Sequence, residues 1–91
     1  MKHQVVWQYE NHNGTSWIEM PAQYNRMYEA YCTTENHDYL EYVIPYAHGT
    51  KFYGYAVDLQ AMTQTNKTTG KVRRIRRLVV AAPFAWIALV N

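Results

Sequence analysis

The chain has 91 residues, which is enough for one domain and too few for two separate hydrophobic cores. Its nine Tyr, three Trp and two Phe supply large side chains for a small core. Cys32 is the only cysteine, which excludes an intramolecular disulfide, and the four His lack the spacing of a zinc site. The net charge is +2, but residues 59–91 hold six Lys or Arg and no acid, which favours a local anion-attracting face.

The first predicted elements form a hairpin. In QVVWQYE, residues 4–10, Val5, Trp7 and Tyr9 share one face, which is the two-residue period of a half-buried strand. The turn-rich NHNGTS follows, and its Asn-Gly pair is a strong hairpin signal. WIEM is the predicted returning strand, and we expect it to bring Trp17 back to face Trp7 in the core.

One helix is predicted over residues 21–32. Pro21 suits its first position. An apolar stripe then recurs at helical spacing, formed by Tyr24, Met27, Tyr28 and Tyr31. Such a stripe is typical of core packing. Residues 33–54 are less regular and predict one or two short strands, with turns near residues 36–38 and 48–49.

The segment YAVDLQAMTQTNKTTGKVRRIRR, residues 55–77, has a clearer pattern. Alternation from Tyr55 to Leu59 reverses its phase at Gln64, which predicts a bulge or tight bend near residues 60–61. TNKTTG is a predicted hairpin loop in which Gly70 can adopt a positive φ. In the final strand one face carries Arg73, Ile75 and Arg77, and the other carries Val72, Arg74 and Arg76.

The spacing of reactive residues favours no enzyme. Ser16, Cys32 and the four His form no catalytic pattern, and the scattered glycines form no phosphate-binding loop, so we expect no catalytic residues, metal or cofactor. Arg and Tyr together suit a nucleotide-like anion better, because a guanidinium binds phosphate and a Tyr ring stacks on a base. The strand phases allow such a cleft at one end of the core. These phases are equally compatible with tyrosines in the core and solvated arginines.

The sequence resembles a WWE domain, a module named for two Trp and a Glu. The naming residues here are Trp7 in WQYE, Trp17 in TSW and Glu29 in YEAY. Residues 55–77 look like the closing hairpin of the family, especially in its Deltex group. The resemblance covers roughly residues 5–77 and implies an α+β fold, in which a strongly curved antiparallel β-sheet, a half-barrel, packs on one α-helix.

The resemblance also implies a non-catalytic module that binds poly(ADP-ribose), through iso-ADP-ribose or a terminal ADP-ribose. It implies a ubiquitin-ligase or ADP-ribosylation context. The implied ligand-binding residues are Tyr9, Tyr55, Gln64 and Arg73. Possible rim residues are His12, Lys71, Arg74 and Arg77. We interpret three residues as structural, namely Trp7, Trp17 and Glu29, and expect Glu29 to satisfy backbone or Trp N–H groups.

Two departures from the family pattern bear on affinity: Ile18 follows Trp17 where some binders have an aromatic residue, and Asn11-His12 stands where some have Arg. The alternative function is a protein-interaction module, since Deltex-type WWE domains also dock the ankyrin repeats of a receptor. Nonspecific nucleic-acid binding is the least favoured, because six cations divided between two strand faces make a modest patch.

The chain ends are the last sequence feature. The polar start lacks the apolar run of a signal peptide, so we expect a cytoplasmic or nuclear protein. The uncharged stretch 78–90 is too short to span a membrane, which needs about 20 residues, and Pro83 interrupts it. We divide the chain into a WWE-like domain, residues 1–78, and an apolar C-terminal tail of unknown role, residues 79–91.

Overall fold

A computed structural model describes residues 3–35, 37–45 and 51–81. In chain order the elements are β1 (His3–Glu10), β2 (Trp17–Glu19), α1 (Ala22–Glu29), a π-helical turn (Ala30–Thr34), β3 (Tyr39–Pro45), β4 (Phe52–Asp58), β5 (Thr63–Asn66) and β6 (Val72–Ala81). The turn predicted at residues 48–49 and the tail beyond residue 81 lie outside the described residues.

The six strands form one antiparallel sheet in the order β2-β1-β6-β5-β4-β3. The sheet is open and packs on one helix, so the predicted α+β fold is confirmed. Strand β1 pairs with β6 in a register that runs from His3 opposite Ala81 to Tyr9 opposite Ile75. Strand β6 therefore continues past residue 78, where we expected the domain to end, and its last residues pair with the start of β1.

A tight turn, with no bulge, separates β4 from β5. The Oδ1 atom of Asp58 accepts hydrogen bonds from the backbone N–H groups of Gln60 and Ala61, each 2.9 Å long. Met62 closes the turn with a φ of 58°. The phase reversal in the sequence arises because two strands meet at this turn. In the next loop Gly70 has a φ of 80°, as its type suggested.

The helix begins one residue later than expected. Pro21 precedes it with an extended ψ of 150°, and its carbonyl accepts hydrogen bonds from the N–H groups of Tyr24 and Asn25. After Glu29 the chain widens into the π-helical turn, in which the N–H of Glu35 donates to the carbonyl of Ala30.

The hydrophobic core lies between the helix and the inner face of the sheet. Its buried members are Trp7, Met20, Tyr28, Leu40, Val57, Leu59 and Ile75. Trp7 and Tyr28 are both fully buried, and their ring centroids lie 5.5 Å apart. The other members of the predicted helical stripe, Tyr24, Met27 and Tyr31, are only partly buried against this core.

The prediction that Trp17 faces Trp7 is wrong. In the register of β1 and β2, Ile18 lies opposite Tyr9 and Trp17 lies opposite Glu10. Trp17 therefore shares the outer face of the sheet with Glu10, whereas Trp7 and Tyr9 point inward. There the Arg76 guanidinium lies 4.3 Å from the centroid of the Trp17 ring, in a cation–π contact.

Glu29 satisfies the indole of Trp7, as predicted. The Nε1 of Trp7 donates to Glu29 Oε1 over 2.9 Å, and Arg77 donates two further hydrogen bonds to the same carboxylate. The Arg77 guanidinium and, to a smaller extent, the indole lower the pKa of Glu29. This cluster ties the helix to β1 and β6.

The side chain of Asn25 closes part of the outer edge of β1. Strand β2 pairs with the last three residues of β1, and the N–H of Met20 donates to the Trp7 carbonyl, which leaves the Trp7 N–H and the Val5 carbonyl without a strand partner on that side. The Asn25 side chain accepts a hydrogen bond of 2.6 Å from the N–H of Trp7 and donates one of 3.0 Å to the carbonyl of Val5. One amide thus replaces a missing strand neighbour.

Candidate ligand-binding site

A cleft opens at one end of the core, and all four residues expected to bind ligand line it. Tyr9 comes from β1, Tyr55 from β4, Gln64 from β5 and Arg73 from β6. Its volume is about 250 Å³. The sheet order brings these residues together, because β6 lies between β1 and β5 and places Arg73 directly opposite Gln64.

Among the described residues, five others line the same cleft: Met20, Pro21, Tyr24, Tyr42 and Ile44. Tyr24 was assigned to the core, and Tyr42 and Ile44 fall in a segment for which we had no clear boundaries. The alternation of Leu40, Tyr42 and Ile44 is a signal that could have placed the last two on an inward face.

Stacked tyrosines form one wall of the cleft. The rings of Tyr42 and Tyr55 are nearly parallel, with centroids 5.3 Å apart and an interplanar angle of 20°. Tyr24 continues the wall, with its ring centroid 5.4 Å from that of Tyr42. Burial raises the pKa of Tyr55, while nearby Arg73 opposes this rise. The wall offers a flat apolar surface to a base or a ribose.

Gln64 joins the cleft to the core. It is the one buried polar or charged residue in the described chain, with 7% of its surface exposed. Its Nε2 lies 2.8 Å from the hydroxyl of Tyr28 and 3.0 Å from that of Tyr42. The two hydroxyls lie 2.8 Å apart. Burial raises the pKa of both tyrosines, so both hydroxyls keep their protons at neutral pH.

Arg73 supplies the positive charge of the cleft. Its Nη1 donates a hydrogen bond of 2.8 Å to the backbone carbonyl of Glu10, and its guanidinium lies 5.9 Å from the centroid of the Tyr9 ring. Among the described residues, no carboxylate forms an ion pair with Arg73. A cation that is half-buried and lacks a carboxylate partner favours an anionic ligand.

The four residues expected at the rim are all described by the structure, and none of them lines the cleft itself. Arg74 is on the outer face and binds the carboxylate of Glu10 over 2.6 Å. Arg77 binds Glu29 beneath the core. In each case a carboxylate distant in sequence holds the guanidinium, and the rim assignment of all four residues stays a prediction. His12 and Lys71 are exposed, in the β1–β2 turn and just before β6.

The described residues include no cluster suited to hold a metal ion and no helix suited to span a membrane. No group of three or more His, Cys, Asp and Glu side chains is placed to hold a metal ion there. Across the same residues, no helix has the length and apolar character needed to cross a membrane.

Comparison with known proteins identifies the family. No curated protein matches the chain. The family model of the WWE domain matches residues 5–77, which include β2 to β5 and most of β1 and β6. WWE domains are modules for protein interaction and poly(ADP-ribose) binding, and they are generally non-catalytic. From its match over most of its length, the chain belongs to the WWE domain family.

Proposed function

We propose that this chain is a non-catalytic module that binds poly(ADP-ribose), through the internal iso-ADP-ribose unit or a terminal ADP-ribose. Its setting would be the ubiquitin-ligase or ADP-ribosylation machinery of the cytoplasm or nucleus, in the manner of the Deltex group. One observation carries the proposal: a single cleft combines a stacked tyrosine wall, a buried amide and an arginine that no carboxylate of the described residues pairs with.

The size of the cleft indicates which part of the ligand enters it. At about 250 Å³ it is smaller than the roughly 300–1,000 Å³ of sites that enclose a drug-sized molecule. A single nucleoside is the part of ADP-ribose that suits this space. In our assignment the adenosine portion packs on Tyr9 and Tyr55, and Gln64 bonds an edge of the base or ribose.

Arg73 would hold the phosphates at the mouth of the cleft. It lies on the inward face of β6 and lines the cleft, and a guanidinium binds phosphate oxygens through two parallel hydrogen bonds. The pyrophosphate would therefore leave the cleft past Arg73. Lys71, exposed just before β6, would contribute only a diffuse field.

Isothermal titration with iso-ADP-ribose, ADP-ribose and ATP tests the proposal. We expect binding of at least one of the ADP-ribose ligands, weakened by Tyr55→Ala, which removes half of the stacked wall. Tyr39→Ala is the matched control, because Tyr39 is 53% exposed and does not line the cleft. No heat with any of these ligands at millimolar concentration would refute the proposal.

A second candidate function is protein interaction, and exposed apolar residues at the β3 edge of the sheet favour it. Val43 is 61% exposed and Phe52 is 55% exposed, and both share one face with Tyr39. A Deltex-like docking role predicts that binding to an ankyrin-repeat protein survives Arg73→Ala and fails with Val43→Asp. A pull-down in which Arg73→Ala abolishes this binding and Val43→Asp leaves it intact would eliminate this candidate.

A further inference from the structure

Three polar groups meet in a closed triangle behind the cleft. The Nε2 of Gln64, the hydroxyl of Tyr28 and the hydroxyl of Tyr42 lie 2.8, 3.0 and 2.8 Å apart. Each of these contacts is of hydrogen-bond length, and two oxygens or nitrogens at such a distance repel unless a hydrogen lies between them. The triangle therefore requires a hydrogen at each of its three sides.

Counting hydrogens determines which way the Gln64 amide points. With its nitrogen in the triangle, the amide brings two hydrogens and the hydroxyls bring two more, which serves all three sides. With its oxygen in the triangle, only the two hydroxyl hydrogens remain, and one side is left without a hydrogen. The orientation with Nε2 toward the tyrosines is therefore the stable one.

The same count shows what the network presents to the cleft. Tyr28 is fully buried, and the acceptor beside its hydroxyl hydrogen is the oxygen of Tyr42. Gln64 lines the cleft, and its Oε1 is neither sealed from solvent nor bonded to any described residue. The network thus leaves the Oε1 acceptor facing the cleft and the Tyr42 hydroxyl hydrogen free to donate.

We propose that the Tyr28–Tyr42 hydroxyl pair positions Gln64 and thereby selects a ligand that carries an amino group. The proposal rests on the function proposed above and specifies it further. An amino group on the base donates to Oε1, as the 6-amino group of adenine can. A 6-oxo base in the same pose places its carbonyl oxygen against Oε1, and two acceptors cannot form a hydrogen bond. Leaving both oxygens without a donor weakens binding by roughly tenfold to a hundredfold.

Tyr42→Phe separates positioning from packing. The variant keeps the ring that stacks on Tyr55 and removes one corner of the triangle. A single contact then remains, between the Gln64 amide and the Tyr28 hydroxyl. The hydroxyl can accept from the NH₂ of the amide or donate to its oxygen, so either orientation forms one hydrogen bond. The amide is free to turn its NH₂ toward the cleft, where it pairs with a 6-oxo base.

The test compares ADP-ribose with the same molecule carrying hypoxanthine in place of adenine. We expect the wild-type chain to prefer the adenine ligand by at least about tenfold. In Tyr42→Phe we expect the two dissociation constants to agree within about threefold, because the amide adapts to either base. Tyr31→Phe is the matched control, since Tyr31 packs against the same core but does not line the cleft, and its hydroxyl forms no hydrogen bond with the described residues. It should keep the wild-type preference.

A preference that is absent in the wild type, or unchanged in Tyr42→Phe, would overturn the proposal. Nuclear Overhauser effects in the ligand-free protein give a second, independent measurement. We expect contacts between the Gln64 side-chain NH₂ and the ring protons of Tyr28 and Tyr42. An NH₂ directed away from both rings would overturn the proposal even if ADP-ribose binds. If the wild type binds neither ligand, the proposed function is refuted, and the NMR result still decides the amide orientation.

Discussion

Replacing Arg73 by Gln should weaken binding of ADP-ribose far more than any other loss of one charge near the cleft. Each charge-assisted hydrogen bond from the guanidinium to phosphate is worth roughly 1.5–3 kcal/mol. Losing one such bond raises Kd by about 10- to 150-fold, since 1.4 kcal/mol corresponds to a factor of ten. Arg73→Lys should fall between the wild type and Arg73→Gln, because it keeps the charge and loses the planar fork.

Lys71→Gln is the matched control for this prediction. It removes the same charge two residues away, from an exposed side chain that forms no hydrogen bond or ion pair with the described residues. We expect Kd to change by less than about threefold at 0.15 M salt, where the Debye length is about 8 Å. Raising the salt to 1 M should abolish this small effect and leave most of the Arg73 effect.

Isothermal titration of the three variants and the wild type, with circular dichroism to confirm that each is folded, gives the measurement. The substitution also removes the hydrogen bond to the Glu10 carbonyl, so a small loss of thermal stability is expected and does not bear on the conclusion. An Arg73→Gln variant that binds within twofold of the wild type would refute the phosphate assignment. A loss of equal size in Lys71→Gln would show that only the diffuse field matters.

Three predictions concern stability and can be checked by urea unfolding. Folding lowers the pKa of Glu29, so its carboxylate adds to the free energy of unfolding above the ordinary pKa, and this addition is lost as pH falls through the pKa of the folded state. Glu29→Gln should therefore make the free energy of unfolding depend less on pH in acid, and an unchanged slope would contradict this. Asn25→Ala should lower the free energy of unfolding by about 1–3 kcal/mol by exposing the β1 edge, and a loss below about 0.5 kcal/mol would show that water replaces the amide. Gly70→Ala should lower the free energy of unfolding by about 1 kcal/mol, because the φ of residue 70 is 80°. Gly54→Ala should lower it less, because its new Cβ would lie at an ordinary contact distance of 3.8 Å from Lys67. Equal losses would contradict the explanation by backbone conformation.

The parts of the site that the sequence predicted depend on local periodicity. Alternation placed Tyr9, Tyr55 and Arg73 on the faces that carry core residues, and the family resemblance added Gln64. An antiparallel sheet then brings inward faces to one side whatever the loops do, so the four residues share a cleft. Neither the pattern nor the resemblance tests their roles in binding, which stay predictions.

The parts that were missed depend on contacts between distant residues. Trp17 belongs to a strand of three residues, too short for alternation to show its face, and only its register with β1 places it outside. Arg77 and Glu29 are 48 residues apart, and Arg74 and Glu10 are 64 apart, so no local pattern reveals that these charges neutralise each other. Tyr24 sits at the start of the helix, where the same stripe that fills the core reaches the open end of the sheet.

The hydrogen bond from Arg73 to the Glu10 carbonyl has a consequence for how binding entropy is distributed. Immobilising a rotamer-rich side chain at an interface costs about 0.5–1.5 kcal/mol. Arg73 is already held at 2.8 Å by Glu10, so much of that ordering occurs during folding, and the guanidinium is preorganised when ligand arrives. The acceptor is a main-chain atom, which no side-chain substitution at position 10 removes. Alanine scanning would therefore attribute the whole effect to Arg73 and miss the residue that aims it.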